Sequence, residues 1–421
     1  MSARSIVKAE RLVWLDIVRL VSALMILAFH WLRASRNVGL LGRDPGPTLV
    51  TGYQGQTIGL GMLPHVLVAG KAPLTYVWLD NSIGLFGGFG WQAVSALIVV
   101  SGFSLTLALG ARRLSTGGWA TWIRKRAIRI IVPFYLIAIP MLVAYVAALV
   151  VFGRTHGSFA AAMSHKLHAL FTSPPLGIVT SHLLLFDPYG RLLQPNFFAP
   201  AWWFVPAILV AYVIYPVLLS GVRKSAGIVL FVAAAVTVFS YTLAERQILH
   251  DQNWYFIVLQ ELFNFTFGVV IGSMWLDASK RKKIEGVLFA RYAFPVALSV
   301  WILGIIANWS ASTRPFASML FGPGLVWTIA PLAKRIENLT ATRFALRVDA
   351  YDLYLVHEPF AFPVALVLRG VFHSYTLFLG WFVFLGIAVV AARTLAAFER
   401  RVLRPRDRQQ TRAVATLTRN S

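Results

Sequence analysis

Residues 12–32 of the chain have the sequence LVWLDIVRLVSALMILAFHWL, in which Asp16, Arg19 and His30 are the only ionisable side chains. A membrane-spanning helix needs about 20 mainly apolar residues, so this run is long enough to cross a bilayer. Polar and basic residues precede it and no small-residue cleavage site follows it. We therefore interpret it as a first transmembrane helix rather than a signal peptide.

The composition of the whole chain fits a lipid environment. Of its 421 residues, 58% are hydrophobic and 13% are charged, whereas ordinary soluble domains have about 25% charged residues. The absence of cysteine excludes disulfides, zinc–thiolate sites, iron–sulfur clusters and a cysteine nucleophile. The formal charge of +23 comes from short basic runs between apolar stretches, which indicates membrane topology rather than nucleic-acid binding.

Apolar segments of spanning length recur along the chain. We predict ten helices, at residues 12–32, 84–110, 130–152, 199–221, 226–243, 254–276, 287–307, 315–333, 348–369 and 375–397. Most Lys and Arg residues fall on one side when the N-terminus is cytoplasmic, in accord with the positive-inside rule. The sequence thus predicts an all-α integral membrane protein, a bundle of about ten transmembrane helices in the plasma (inner) membrane with both termini cytoplasmic.

The predicted domain organisation has three parts. Residues 1–11 form a cytoplasmic tail, residues 12–397 form the membrane domain, and residues 398–421 form a basic cytoplasmic tail. Two long external loops, at about 33–83 and 153–198, are rich in glycine, proline and aromatic residues. Long loops are often functional, so we expect these two to cover an acceptor site or to lie along the membrane interface.

The ionisable residues of the first helix are functional candidates because charge inside a membrane is costly. Asp16 and Arg19 are three residues apart and can pair on one face. Arg19 and His30 are eleven apart, which returns to nearly the same face after a rise of about 16 Å. We expect both to point inward, and an imidazole there can take a proton from a hydroxyl. Local hydrogen bonding of His30 and simple pairing of Arg19 with Asp16 are the structural alternatives.

Two further motifs lie towards the cytoplasmic side. Arg126 and Arg129 share a face at the start of the third helix, and such a pair of guanidinium groups suits the phosphates of coenzyme A. Positive-inside anchoring explains the same two residues. In the segment Ser101-Gly102-Phe103, Gly102 permits close approach of a neighbouring helix, and packing alone is the alternative.

The remaining candidates lie in later helices. Tyr354 and His357 are three residues apart, with Asp352 and Glu358 nearby, which indicates either a polar site or a solvated helix start. Trp203 belongs to an aromatic group that membrane packing and interfacial aromatic belts also explain.

In order along the chain, these segments resemble the membrane acyltransferase-3 family. Arg19 and His30 match its Arg-x10-His signature, and the segment from Arg126 to Arg129 is similar to its Arg-x-x-Arg element. Ser101-Gly102-Phe103 is similar to its Ser-Gly-Phe element.

Two later segments extend the resemblance. Tyr354-Leu-Val-His357-Glu-Pro359 resembles the family's Tyr-Leu-x-His-x-Pro element. The stretch Trp203-Phe-Val-Pro-x5-Tyr-x3-Pro216 resembles one branch of the family, which includes the enterobacterial common antigen O-acetyltransferase. Other branches carry two glutamates after this tryptophan, where Ile208 and Leu209 stand here, so no role of those acids is carried over.

The resemblance implies transfer of an acetyl or other short acyl group from acyl-CoA, acetyl-CoA in the first instance, to a hydroxyl of an extracytoplasmic glycan, glycolipid or small molecule. It assigns catalysis to His30 and Arg19, and donor binding to Arg126, Arg129 and the Ser101–Phe103 segment. Asp16, Tyr354, His357 and Trp203 are further candidates, and neither a metal nor a permanently bound cofactor is expected.

A transporter or flippase is the main alternative, because polytopic topology and buried charges suit it equally. The sequence, however, has no paired half-chain symmetry of interrupted helices.

Overall fold

A computed structural model describes residues 12–37, 82–83, 86–110, 112, 114–152, 200–245, 254–308, 310, 312–371 and 376–403. Every regular element in these ranges is helical, in agreement with the predicted all-α class. Residues 1–11, 404–421 and most of both predicted external loops lie outside the described residues.

The helices are numbered here in chain order. They are α1 (Val13–Asn37), α2 (Ala93–Leu109), α3 (Thr116–Phe152), α4 (Phe204–Glu245), α5 (Trp254–Gln260), α6 (Leu262–Trp275), α7 (Ala278–Leu288), α8 (Ala293–Ala307), α9 (Arg314–Ile336), α10 (Thr340–Ala345), α11 (Ala350–Val371) and α12 (Thr376–Leu403). Short 3-10 helices, Gly90–Gln92 and Pro200–Trp203, lead into α2 and α4.

Several of these helices can cross a membrane. Within the described residues, 5 pass by length and composition, namely Val13–Ser35, Gly90–Leu109, Phe204–Ala244, Arg314–Ile336 and Phe378–Arg401. A sixth span arises if α6 and α7, which are bent by 120°, form one broken span. Each of the ten segments predicted from the sequence overlaps a described helix. Membrane crossings in addition to these five or six spans stay a prediction.

Residues 199–221 and 226–243, predicted as two spans, lie largely in the single element α4. This element contains one non-helical residue, Ser225, with φ −155° and ψ 93°. A Cβ atom built on Gly221 would stand 2.7 Å from Cγ2 of Val229. A straight helix would separate these two residues by about 12 Å along its axis. The chain therefore folds back at Ser225, and the two arms of α4 correspond to the two predicted segments.

The third helix begins earlier than the sequence predicts. α3 starts at Thr116 rather than at residue 130, and it has 37 residues. Its length of about 55 Å exceeds the ~30 Å hydrocarbon core of a bilayer. Arg124 and Lys125, in its first turns, are exposed. The early turns of α3 thus extend beyond the apolar segment, which a search for apolar runs alone does not detect.

The central helix of the bundle is α1, which packs against α2, α9, α11 and α12. Glycines bring α2 close to α6, because small residues let helix backbones approach each other. A Cβ atom on Gly102 would stand 2.3 Å from the carbonyl oxygen of Phe265, and one on Gly268 would stand 2.0 Å from that of Val99. Because α1 packs against four helices, its polar side chains can meet protein groups on several sides.

Candidate active site

The first feature of the site is a buried pair formed by His30 of α1 and Glu358 of α11. His30 Nδ1 stands 3.1 Å from Oε1 of Glu358, and the two side chains are 10% and 8% exposed. A carboxylate at this distance can accept a hydrogen bond from Nδ1–H, and in that neutral tautomer the lone pair of His30 is on Nε2. A histidine oriented by a carboxylate in this way can serve as a general base.

A second imidazole, that of His357, lies beside the pair. Its ring centroid is 5.0 Å from that of His30. Its Nδ1 donates to the backbone carbonyl of Tyr354, one turn earlier in α11. Its Nε2 is buried and has no hydrogen-bond partner within the part of the chain that the structure describes. Because an unsatisfied buried polar group costs about 1–3 kcal/mol, this nitrogen is well suited to bind a hydroxyl of a substrate.

Arg33 adds positive charge near the same carboxylate. It lies one turn after His30, is partly buried and interacts electrostatically with Glu358. Its guanidinium carbon stands 5.8 Å from the ring centroid of Phe29. Arg33 thus offsets part of the cost of burying the carboxylate in the bundle.

Three residues of the site also offer ligand atoms that could hold a metal ion. One atom each from His30, His357 and Glu358 lies within 4.8 Å of the other two. Two histidines and a glutamate form the protein ligands of several catalytic zinc sites. The same three side chains could therefore hold a metal ion or, without one, provide a general base.

Arg19 lies on α1, eleven residues before His30, and its side chain faces α2. Its Nη1 donates to Asp16, as the spacing predicts, and its Nη2 donates to the hydroxyl of Ser104 on α2. Its side chain is 33% exposed. Tyr212 of α4 interacts electrostatically with both Arg19 and Arg126. The Arg19 end of α1 is therefore polar and partly open, whereas the His30 end is enclosed.

Arg126 and Arg129 lie in the early turns of α3. Arg126 is partly buried, and its guanidinium carbon stands 5.5 Å from the ring centroid of Trp122. Arg129 is exposed and close enough to Arg126 for the two charges to interact. Tyr212 interacts electrostatically with both Arg126 and Arg19. The two predicted donor-binding cations therefore lie towards the Arg19 end of α1 rather than towards the His30 end.

The Ser101-Gly102-Phe103 segment makes packing contacts in the described structure. The Ser101 hydroxyl donates to the carbonyl of Leu97 at 2.7 Å, within its own helix. The ring of Phe103 stands 5.5 Å from that of Trp275 on α6. The proposed donor contact of this segment stays a prediction.

Tyr354 and Trp203 lie at the junction of α11 with the start of α4. The buried ring of Tyr354 stands 5.3 Å from Phe204 and 5.5 Å from His357. Trp203 stands 6.3 Å from Phe204. Its neighbour Trp202 donates from Nε1 to the carbonyl oxygen of Leu355 at 3.1 Å. These contacts fix α11, and with it His357 and Glu358, against the first turn of α4.

Sequence reasoning missed three residues of this arrangement. Glu358 drew notice only as a neighbour of His357, and nothing in its spacing identifies it as the partner of His30. Ser104 follows the predicted segment by one residue, and Arg33 follows His30 by one turn. The signal for Arg33 was available, because its position at i, i+3 from His30 places it on the same helix face.

These features define a class of protein: an all-helical membrane protein whose central helix carries a partly open arginine and a buried histidine, which pairs with a carboxylate of a neighbouring helix. The chain belongs to the acyltransferase-3 family, because the family profile, described as an acyltransferase domain, matches residues 12–397. Comparisons with curated proteins and with solved structures gave no match.

Proposed function

We propose that this membrane acyltransferase moves an acetyl or other short acyl group from acyl-CoA to a hydroxyl of an extracytoplasmic glycan, glycolipid or small molecule. The observation that carries the proposal is the buried contact of His30 with Glu358 in a member of the acyltransferase family. A base with a fixed tautomer is what activation of a hydroxyl requires.

The chemical step uses His30 as general base. Its Nε2 takes the proton of the acceptor hydroxyl while the oxygen attacks the thioester carbonyl. The tetrahedral intermediate then collapses, the carbon–sulfur bond breaks, and the ester and the coenzyme A thiolate are formed. The imidazolium of His30 returns its proton to the thiolate, so the enzyme ends as it began. Glu358 keeps the imidazole in the reactive tautomer and stabilises its protonated form.

A stepwise route with the same residues remains open. In that route, Nε2 of His30 attacks the thioester first, the carbon–sulfur bond breaks and the coenzyme A thiolate leaves. The acceptor oxygen then attacks the acyl-imidazole, the carbon–nitrogen bond breaks, and the acceptor proton passes to solvent. The geometry at Nδ1 suits both routes, because either requires a free lone pair on Nε2. A burst of coenzyme A release before acceptor is added would favour the stepwise route.

The donor enters from the side of Arg19. Arg126 and Arg129 bind the phosphates of coenzyme A through charge-assisted hydrogen bonds. The pantetheine arm, which is long and thin, then runs along α1 from Arg19 towards His30, a rise of about 16 Å. Asp16 and Ser104 hold the Arg19 guanidinium in one orientation, so that it lines the entrance of this path.

The acceptor hydroxyl is bound at the opposite end. His357 Nε2, buried without a hydrogen-bond partner in the described residues, accepts a hydrogen bond from the acceptor beside the reacting hydroxyl. Tyr354 packs on His357 and shapes this pocket. We propose that the chain crosses the plasma membrane about ten times with both termini cytoplasmic, which places Arg19 on the donor side and His30 on the acceptor side.

The test uses purified protein in lipid nanodiscs with radiolabelled acetyl-CoA. The acceptor source is an extract of glycans, lipids and metabolites from a strain that lacks this protein, since its acceptor carries no acyl group. We expect His30→Ala to lower transfer by at least about 100-fold while coenzyme A affinity changes less than about twofold. Transfer at the wild-type rate would refute the base role.

A separate variant tests the donor site. Arg126→Gln/Arg129→Gln is expected to weaken coenzyme A binding by at least about 10-fold, because each lost charge-assisted bond contributes about 1.5–3 kcal/mol. Arg124→Gln is the matched control, since Arg124 is exposed in the same helix and faces away from Arg126. Equal affinity of the double variant and the control would remove the phosphate site from these arginines.

A transporter or flippase without acyl transfer is not favoured, because the chain belongs to an acyltransferase family. Coenzyme A release that depends on acceptor separates the two, since transport alone leaves the thioester intact.

A further inference from the structure

The helix α7 has a higher density of basic residues than the other described helices, and the mechanism does not use it. It spans Ala278–Leu288 with the sequence ASKRKKIEGVL and lies between the apolar helices α6 and α8. The chain bends by 120° between α6 and α7. We expect a short polar helix between two apolar helices to lie at a membrane surface rather than within the hydrocarbon.

One face of α7 is attached to the bundle. Arg281 stands 5.3 Å above the ring of Trp275 and its Nε donates to Glu285 Oε1 at 3.0 Å. Leu288 is buried. Phe289, the next residue, packs 6.0 Å from Trp14 of α1. These contacts fix the orientation of α7 relative to the helices of the bundle.

The N-terminus of α7 is also fixed. The Asp277 side chain accepts hydrogen bonds from the backbone amides of Ser279 at 3.0 Å and Lys280 at 3.2 Å. This cap satisfies two amides that a helix start otherwise leaves free. The basic residues therefore sit on an ordered helix rather than on a loop.

The outer face of α7 combines cations with exposed apolar groups. At 100° per residue, Lys280, Lys283 and Val287 fall within about 60° of one another. The Lys280 side chain is 57% exposed and Val287 is 56% exposed. Tyr292, which follows the helix, is 59% exposed. Lysines beside exposed apolar and tyrosine side chains are typical of a helix at the level of lipid headgroups.

We propose that the outer face of α7 binds the phosphate headgroups of anionic phospholipids, with Lys280 and Lys283 as the contacting cations. Residues 277–291 contain Lys280, Arg281, Lys282, Lys283 and Arg291 against two acids, Asp277 and Glu285, so the local charge is 5 − 2 = +3. A soluble polyphosphate would bind these lysines but would leave Val287 and Tyr292 in water, whereas a lipid covers both kinds of group.

The experiment measures lipid binding to the purified full chain in detergent by native mass spectrometry. Phosphatidylglycerol is the anionic probe, phosphatidylcholine the neutral one, and coenzyme A the soluble phosphate. We expect Lys280→Gln/Lys283→Gln to weaken phosphatidylglycerol binding by about 25-fold, since each lysine near an anionic surface contributes about fivefold. Phosphatidylcholine binding is expected to stay unchanged.

Two variants serve as controls. Lys282→Gln removes one charge from the same helix, but Lys282 lies about 100° or more from the other two lysines, so a much smaller effect is expected. Lys280→Arg/Lys283→Arg keeps the charge and should keep the affinity. Equal binding of the two lipids by the wild-type chain would overturn the proposal. So would a double Gln variant that loses coenzyme A but keeps phosphatidylglycerol, because α7 would then belong to the donor site.

Discussion

Replacement of Glu358 by glutamine tests the buried pair with the smallest possible change of shape. In the native site Glu358 accepts a hydrogen bond from Nδ1 of His30, and the two atoms are 3.1 Å apart. A glutamine amide can instead donate to Nδ1, and the imidazole proton then moves to Nε2, where the base must have its lone pair. The variant keeps the volume of the side chain, so we expect the loss to fall on the chemical step.

The expected size of this loss follows from the role of the pair. A positioned base contributes about 10²–10⁴-fold to the rate, which corresponds to about 3–5 kcal/mol of activation free energy. We therefore expect Glu358→Gln to lower kcat by this factor. The KM for acetyl-CoA should change less than about threefold, because the proposed phosphate site lies at Arg126 and Arg129, away from His30.

The assay can follow the coenzyme A thiol with a thiol reagent, because the protein has no cysteine of its own to react. Thiols of the acceptor extract are blocked beforehand. Glu337→Gln is the matched control, since Glu337 pairs with Lys334 at 2.6 Å in a contact that is exposed on the lysine side, and its kcat should equal that of the wild type. A Glu358→Gln variant that keeps kcat within about threefold of the wild type would falsify the tautomer argument.

Three further outcomes are expected. Ser104→Ala should raise the KM for acetyl-CoA more than it lowers kcat, because Ser104 accepts a hydrogen bond from Arg19 at the proposed donor entrance; steady-state kinetics check this, and an equal fall in kcat would move Arg19 into the chemical step. Treatment with a chelator such as EDTA or phenanthroline should leave transfer unchanged if the cluster of His30, His357 and Glu358 works as a base; loss of activity that zinc restores would assign a metal to it. Gly268→Ala should destabilise the bundle by about 1–3 kcal/mol, because the new Cβ would stand 2.0 Å from the carbonyl oxygen of Val99; thermal unfolding in detergent measures this, and Gly286→Ala, with nothing within 4 Å of the new Cβ, is the control.

Each apolar segment predicted from the sequence overlaps a described helix, because apolar length is a local property. The first helix and the reversal in α4 follow from runs of apolar residues and the polar residues between them. The extra turns of α3 were missed because their residues are basic, so hydropathy marks only the part suited to lipid.

The residues that α1 contributes to the site were predictable from the sequence, but their partners on other helices were not. The repeat of the helix gives the inward directions of Arg19 and His30. The partner of His30, however, comes from α11, far along the chain, and no helical spacing relates the two. Ser104 is similar, since its contact with Arg19 depends on how α2 packs against α1, and spacing within either helix does not give this.

The burial of the pair explains how it can contribute to catalysis rather than only to structure. In the proposed mechanism, His30 starts the reaction as a neutral imidazole that donates a hydrogen bond to Glu358. When Nε2 takes the proton, an imidazolium faces a carboxylate in a site that is 8–10% exposed, where little water screens the attraction. The attraction therefore grows as the proton moves, so it stabilises the transition state more than the ground state. At the open end of α1, where Arg19 is 33% exposed, the same pair would be screened by solvent, and this difference is the physical reason to place the base at His30 and the entrance at Arg19.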